Sequence, residues 1–458
     1  MKRPFLLVLG CSMLLAGWLS AFLLTGAPQS STLYIIGPTL LLGVGMGVIH
    51  KTAGVKLTVL NLALTALTAL LLLNQISPNR GVSIPAIQKR IQANVESGNI
   101  VSLEIKSADR TNIFEKPYSL EAFADIEVQL FATLPGPVRM MAFDSAGRLY
   151  VSIPKLGAIY QLTDTDNDGF SEQPILYHVG MDRPHGLLWK DDSLYVAETA
   201  QLLELQDTTH DNQIDKVRVV LDGLPEDGGH WTRSLALGGD DFLYLSVGSR
   251  CNACEESNSL RGTVLKVDPV TGHFSVFARG LRNSVGLAFA PDGTLWGSDN
   301  GRDNLGDELP PDEINQIIAN ADYGWPNCYG QQIPDPELGT SQLCSETHSS
   351  KVDLPAHSAP LGIVFGDKLN APEEYRNSLY VALHGSWNRT EPTGYNLIRI
   401  PYKNHEMNEY GKEFLQGWLF EGKAWGRPVA PVVGPDGNLY LSDDRAQAIY
   451  RITWQSQK

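Results

Sequence analysis

Six short segments of this chain each carry a histidine or an arginine at the same phase of a repeat, and these side chains define the chemistry within reach. They are Pro137-Val138-Arg139, Arg183-Pro184-His185-Gly186, Gly229-His230-Trp231, Arg282-Asn283-Ser284, His357-Ser358-Ala359-Pro360 and Arg427-Pro428-Val429. Any one alone reads as an arginine capping a strand end or a histidine satisfying a loop carbonyl. Six together predict a convergent ring of cations. Guanidinium forks match carboxylates in shape and charge, so such a ring suits a planar ligand with several negative charges. A histidine beside that ligand can accept a proton near neutral pH.

Oxygen-rich loops give a second chemical signal. Asp164, Asp166, Asp168 and Glu172 occupy positions 1, 3, 5 and 9 of an EF-hand-like calcium loop, with Gly169 at the sharp turn and Ile175 where position 12 would need glutamate. Asp207, Thr209, Asp211 and Asp215 repeat the layout one unit later. Both read as structural calcium loops in the hairpin connections between repeat units. The competing reading is a solvated acidic hairpin.

These residues must be positioned by a repeat, and one is visible. An apolar strand, an Asp-Gly or similar turn and a strand reading Leu-Tyr-Val recur around Tyr150, Tyr195, Tyr244, Trp296, Tyr380 and Tyr440. The steps between these aromatics are 45, 49, 52, 84 and 60 residues, against about 40 to 50 for a blade of four antiparallel strands. Longer steps hold insertions. Alternating strands with tight turns, repeated six times, predict an all-β fold, a six-bladed β-propeller whose innermost strands begin at one mouth. The run from Ile126 to Phe131 precedes the first unit and is expected to close the ring as an outer strand of the last blade.

The first 75 residues differ in character, with apolar stretches from Phe5 to Leu24, Leu33 to Ile49 and Leu57 to Leu73. Each is near the length that crosses about 30 Å of hydrocarbon. Lys2, Arg3, Lys51 and Lys56 place the amino terminus in the cytoplasm and everything after Leu73 outside, in the periplasm of a bacterial-type cell. A lipoprotein box at Val8 to Cys11 or a re-entrant hairpin would export the rest equally. The expected organisation is a membrane anchor of about three transmembrane helices over 1–77, a linker over 78–122, weakly helical around 86–93, and the propeller over 123–456.

Thirty-six basic against 51 acidic residues give a net charge of −15, which disfavours nucleic acid as a partner. Of the five cysteines, Cys251, Cys254, Cys328 and Cys344 lie in the exported part. The Cys251 to Cys254 spacing allows a redox pair or half a zinc site, but the preferred reading is two structural disulfides, Cys251 to Cys254 and Cys328 to Cys344.

Longer motifs make a family resemblance specific. Gly228-Gly229-His230, the run Ala278-Arg279-Gly280-Leu281-Arg282-Asn283-Ser284-Val285-Gly286-Leu287-Ala288-Phe289, Asp312-Glu313-Ile314-Asn315 and Asp322-Tyr323-Gly324-Trp325-Pro326 resemble the soluble-type pyrroloquinoline quinone (PQQ) glucose and sorbosone dehydrogenases. His384-Gly385-Ser386-Trp387-Asn388-Arg389 and Trp425-Gly426-Arg427-Pro428 are most similar to the sorbosone branch. The resemblance covers roughly 125 to 454.

It implies PQQ over the channel mouth, with His230 as general base on a sugar C1 hydroxyl. It further implies quinone contacts from Arg282, Asn283 and Arg427, and another cation from the His384 to Arg389 loop, with Arg389 favoured. His185 and Trp231 fall on the substrate side. A calcium ion beside the quinone is implied at the turn holding Gly301 and Arg302, and Asp312, Glu313 and Tyr323 match a second calcium region. One departure stands out: Ser249 occupies the place of an aspartate that orients the histidine in the glucose enzymes, which lowers the expected basicity of His230.

The function expected is PQQ-dependent oxidation of an aldose or related sugar, with electrons passed to a membrane or soluble acceptor. A calcium-dependent lactonase or other hydrolase on the same fold, and a sugar-binding propeller without catalysis, are the alternatives.

Overall fold

The computed structural model describes residues 98–106, 112–116 and 118–455. The chain divides into two compact units, Met1–Ala86 and Ile87–Lys458, and every described residue belongs to the second. The three apolar stretches and the run 86–93 lie outside the described residues. Among the described residues no helix is long and apolar enough to cross a membrane.

Each sequence repeat folds as a four-stranded antiparallel meander, giving an all-β, propeller-like architecture. Blade 1 is Met141–Phe143, Leu149–Ile153, Ala158–Leu162 and Ile175–Val179; blade 2 is Gly186–Lys190, Ser193–Ala197, Leu202–Gln206 and Lys216–Leu221. Blade 3 is Leu235–Leu237, Leu243–Val247, Thr263–Val267 and Phe274–Arg279; blade 4 is Ser284–Phe289, Leu295–Asp299, Asp312–Ile317 and Val352–Leu354. These four are separate sheets. Two further meanders share one eleven-stranded sheet. Blade 5 is Pro360–Phe365, Ser378–Leu383, Asn396–Lys403 and Lys412–Gln416. Blade 6 is Pro428–Val433, Leu439–Asp443 and Ala448–Trp454, completed by Ile126–Thr133.

Pairing of Ile126–Thr133 with Ala448–Trp454 closes the ring with a strand from the start of the domain, as the sequence predicted. Innermost strands touch in cyclic order, each against the next and blade 6 against blade 1. The fusion of blades 5 and 6 was not expected. Residues 78–122 were read as a linker, yet Asn99–Glu104 and Ser119–Ala122 form a hairpin. Its first strand pairs with Ile126–Thr133 and its second with Lys412–Gln416, which satisfies two otherwise open edges.

The Leu-Tyr-Val strands are buried on both faces, as in Leu149–Ile153 and Leu243–Val247, because each lies between two neighbouring blades. Exposed residues collect at fourth strands such as Ile175–Val179 and Lys216–Leu221. Serines of one phase tie the blades together near the axis. Ser152 Oγ donates to His185 O at 2.9 Å, Ser298 Oγ to Leu361 O at 2.5 Å and Ser442 Oγ to Arg139 O at 2.7 Å, each reaching the next blade. Gly286 lets blades 4 and 5 approach closely, since a Cβ there would collide with Leu361 O.

Candidate active site

The starts of the innermost strands converge on a cavity of about 350 Å³. Blade 1 contributes Arg139 and Lys155, blade 3 His230 and Trp231, blade 4 Asn283, blade 5 Leu361 and blade 6 Asp444. His230 is the best-defined chemical group in this wall. Its Nδ1 donates to Ser249 O at 3.0 Å and to Ser249 Oγ at 2.8 Å, while that hydroxyl donates onward to Cys251 O at 2.9 Å. With the serine proton spent on Cys251, Ser249 can only accept from the ring. Nδ1 therefore carries the proton, and Nε2 keeps its lone pair.

The backbone under His230 is held by cations without a carboxylate against the ring. Arg233 donates to His230 O at 3.1 Å and Arg261 at 3.5 Å. Burial, then the charges of Arg282 and Arg261, push the His230 ring down to about 3. Burial and neighbouring guanidiniums also pull the fully buried Arg233 down to about 9. Gly248 is required where these chains meet, because a Cβ would press on His230 Cβ and Asn283 Oδ1.

Other residues of the predicted ring have different surroundings. Arg282 is buried and largely satisfied by protein: Nε donates to Asn252 O at 2.8 Å, one terminal nitrogen to Asn300 O at 3.1 Å, and the other to Asn252 Oδ1 at 2.9 Å and Asp303 at 3.3 Å. Arg427 donates to His384 O and Gly385 O and lies 5.5 Å from the Tyr395 ring centroid. Arg389 is spent on Glu308 at 2.8 Å, Asp307 O and Ala356 O, so it anchors a loop and is not part of the cavity lining. His384 Nε2 pairs with Asp444 at 2.9 Å, and Arg139 donates to the same carboxylate at 2.8 Å. Burial would raise Asp444, but these two partners hold it down at about 2.

His185 is wholly buried and sits edge-on to Trp231, centroids 5.6 Å apart, while Trp231 itself faces the cavity. Its Nδ1 meets Arg233 O at 3.0 Å and its Nε2 has no partner.

A family profile described as TrAA12-like matches residues 122–455, well over half of the chain. The chain belongs to the TrAA12-like family. The sequence resemblance to the soluble-type PQQ sugar dehydrogenases is upheld by the relatives. Quinoprotein glucose dehydrogenase B of Acinetobacter calcoaceticus is 34% identical over 212 residues, 43% of this chain and 41% of that protein. The pyrroloquinoline quinone-dependent pyranose dehydrogenase of Coprinopsis cinerea is 25% identical over 291 residues, 49% of this chain and 39% of that protein. The chain thus spans about two fifths of the length of both curated relatives. The calcium structure of Trichoderma reesei Carbohydrate-Active Enzymes Family AA12 shares the fold at a TM-score of 0.65 and 21% identity, over 75% of this chain and 100% of that one.

The metal-ligating residues predicted for this TrAA12-like chain fall into three sets, and the two acidic loops lie within blades 1 and 2, each joining the third and fourth strands, instead of between blades. In the first loop, carboxylate oxygens of Asp164, Asp166 and Glu172 lie within 4.8 Å of one another, and Gly169 takes φ +88° at the turn. Asp168 is drawn instead to Lys106 at 2.6 Å. Among the described residues, Asp207, Asp211 and Asp215 form no such group: Asp215 accepts from Thr208 and Thr209, and Asp207 from the amides of Asp211 and Asn212.

Around the predicted quinone-side calcium, Gly301 N donates to Asp312 Oδ1 at 2.8 Å, and Arg302 is committed to Asp335 at 2.8 Å and Glu337 at 3.0 Å. Burial raises Asp312 to about 6, and burial with nearby Asp299 raises Glu313 to about 8. Tyr323 belongs to the apolar core, its hydroxyl donating to Gln316 O. Asp312 and Tyr323 are thus engaged in hydrogen bonds, and among the described residues neither Asp312 nor Glu313 belongs to a cluster of three ligand atoms within 4.8 Å. Both predicted cysteine pairs are disulfides, which removes the zinc reading of Cys251 and Cys254 because neither sulfur is a thiolate.

Lys155 and Asp444 were not singled out from the sequence. Both follow a Leu-Tyr-Val strand by one or two residues, a phase that also supplies Ser249. Strand ends, as well as strand starts, were the available signal.

Proposed function

We propose that this chain is a quinoprotein dehydrogenase that oxidises an aldose or related sugar at the anomeric carbon, with PQQ as its cofactor. The observation that carries the reading is His230 in the cavity wall, held as the Nδ1-protonated, neutral imidazole by Ser249. The donor set fits an anionic cofactor: Arg139 and Lys155 outnumber the one carboxylate in the described lining, Asp444, which is already committed to Arg139 and His384. Those cations, with the Asn283 amide, would hold the quinone carboxylates. When bound, PQQ supplies the two-electron acceptor. His230 Nε2 takes the C1 hydroxyl proton, and Trp231 offers an apolar face to the sugar ring.

Sugar oxidation in the family's relatives supports the reading, and so do the His384 to Arg389 and Trp425 to Pro428 motifs for a sorbosone-like substrate. A calcium-dependent hydrolase fits less well, because the cavity wall offers a net cationic surface where a metal would need carboxylates. The experiment is reconstitution with PQQ and calcium followed by dye-linked oxidation of aldoses. Lactone hydrolysis without quinone, and no aldose oxidation with it, would overturn the proposal.

Because the imidazole is held at about 3, kcat/KM should stay level as pH falls below the ordinary imidazole value of about 6.5. The drop should come only as the solution approaches about 3. The same depression makes the unfolded chain bind protons first, so stability is lost as pH falls from about 6.5 through the folded values of His185, His230 and His384. Rates should therefore be read beside circular dichroism, and an acid limb near 6.5 in still-folded protein would contradict the assignment.

Calcium belongs to the proposal as a structural ion of the Asp164, Asp166 and Glu172 loop. For the loop, calcium at a hundredfold excess over its Kd should stabilise the fold by about 2.7 kcal/mol. Thermal melts with calcium and with chelator, in wild type and Asp164→Ala, test this; equal shifts in both proteins would remove the loop as the site.

The location proposed is outside a bacterial inner membrane, with the apolar stretches of the first 75 residues as the anchor and an electron acceptor in or near that membrane. Two disulfides among the described residues support an oxidising compartment.

A further inference from the structure

We propose that Trp387 forms a second sugar subsite at the rim of the cavity, so that the substrate is an oligosaccharide whose terminal reducing ring enters the cavity and whose next ring stacks on the indole. This rests on the dehydrogenase reading above. Trp387 is 75% exposed, whereas Trp296, Trp418 and Trp425 are buried in the core. A lone exposed apolar side chain is ordinary on a protein surface. This one is distinguished by how firmly its neighbours are held and by where they are attached.

Three residues before it, His384 pairs with Asp444 in the cavity wall on blade 6. One residue after it, Asn388 Nδ2 donates to Asp303 at 2.7 Å, and Asp303 accepts from Arg282 beside cavity-lining Asn283 on the blade 4 side. Ser386 on its other flank is buried, its carbonyl accepting from the Tyr395 hydroxyl and its amide bonding Thr393 O at 2.9 Å. Arg389 pins the descending limb to Asp307, Glu308 and Ala356. The loop is thus fastened to the blades on either side of its own, beside cavity-lining Asp444 and Asn283, and presents an indole to solvent from a fixed frame. Its Cα can lie no more than about 11 Å from that of His384.

The chemistry gives the direction. Oxidation needs a free anomeric hydroxyl at His230, so any further ring must extend away from the cavity through another hydroxyl. Pyranose rings have an apolar C–H face, and an exposed aromatic ring held in place is a surface that face can cover with little entropy cost.

The test is calorimetric titration of the full-length protein with glucose and with cellobiose, beside dye-linked kinetics of the PQQ-loaded protein with both. Cellobiose should bind about fivefold more tightly than glucose, a typical gain for one stacking contact. Trp387→Ala should erase that preference and leave glucose binding unchanged, while Trp387→Phe should keep most of it. Equal affinities in wild type, or an equal loss for both sugars in Trp387→Ala, would overturn the subsite while leaving the dehydrogenase reading in place. Binding of neither sugar would overturn both. If Trp387→Ala changes no sugar affinity and slows only transfer to a protein electron acceptor, with dye rates intact, the indole is a docking contact for that acceptor and the subsite is wrong.

Discussion

Replacement of His230 by alanine should lower kcat for sugar oxidation by the PQQ-loaded, calcium-supplied protein about a thousandfold, within the range removed with a positioned general base. Sugar affinity should change little, because the ring is assigned to a proton that moves in the reaction step. His230 has the required form before any ligand arrives: Nδ1 bonds Ser249 O at 3.0 Å and Oγ at 2.8 Å, leaving Nε2 as the basic nitrogen. Steady-state dye-linked rates and calorimetric sugar binding, measured on the same preparations, provide the check. An unchanged kcat would remove His230 from the reaction. A companion variant, Ser249→Asp, places a carboxylate at the ring and should move the acid limb of kcat/KM upward toward the ordinary imidazole value, since an adjacent negative charge favours the imidazolium.

Asp299→Ala should cost about 3 kcal/mol of stability, because it strands buried donors, each of which is worth about 1 to 3 kcal/mol when left unpaired. The Asp299 carboxylate sits at the end of the second strand of blade 4. It accepts from Arg282 N at 2.9 Å, Asn283 N at 2.8 Å and Ser284 Oγ at 2.8 Å, fixing the turn that aims Asn283 into the cavity. The same phase is used twice more: Glu198 accepts from Asp182 N and Asp443 from Arg427 N, both at 2.8 Å. Loss of this frame should also lower kcat/KM, by about tenfold if Asn283 loses its aim. Asp299→Asn, which keeps an acceptor oxygen, should lose less of both. Denaturant melts and kinetics of the pair decide the matter, and an alanine variant as stable as wild type would show that the turn holds without its carboxylate.

Several parts of this molecule could be read from residue order. The Leu-Tyr-Val strands and their turns are spaced by the blade, so six meanders followed from counting, and the unpaired run from Ile126 to Phe131 announced the closing strand. The pairs Cys251 with Cys254 and Cys328 with Cys344 were legible because both are close in sequence. His230 reached the cavity wall because its phase in the repeat placed it at a strand start. These features are local, or periodic with a local cause, namely which side of a strand must be hidden from water.

What residue order could not decide was which partner each charged side chain would take. Arg389 was assigned to a ligand, yet Glu308, 81 residues away, claims it; Arg282 likewise meets Asn252, Asn300 and Asp303. The hairpin of Asn99–Glu104 and Ser119–Ala122 looked like linker because its strands are short and polar, and only the open edges of blades 5 and 6 give it a place. A guanidinium or a strand edge bonds to whatever the closed ring brings within about 3 Å. Residue order thus carries the repeat, its closure and the phase of the histidine, all set by burial along one strand. That Arg139 and Lys155 line the cavity while Arg282, Arg389 and Arg427 brace the loops around it is settled in the folded ring, because the choice is made between distant segments that meet only when the ring closes.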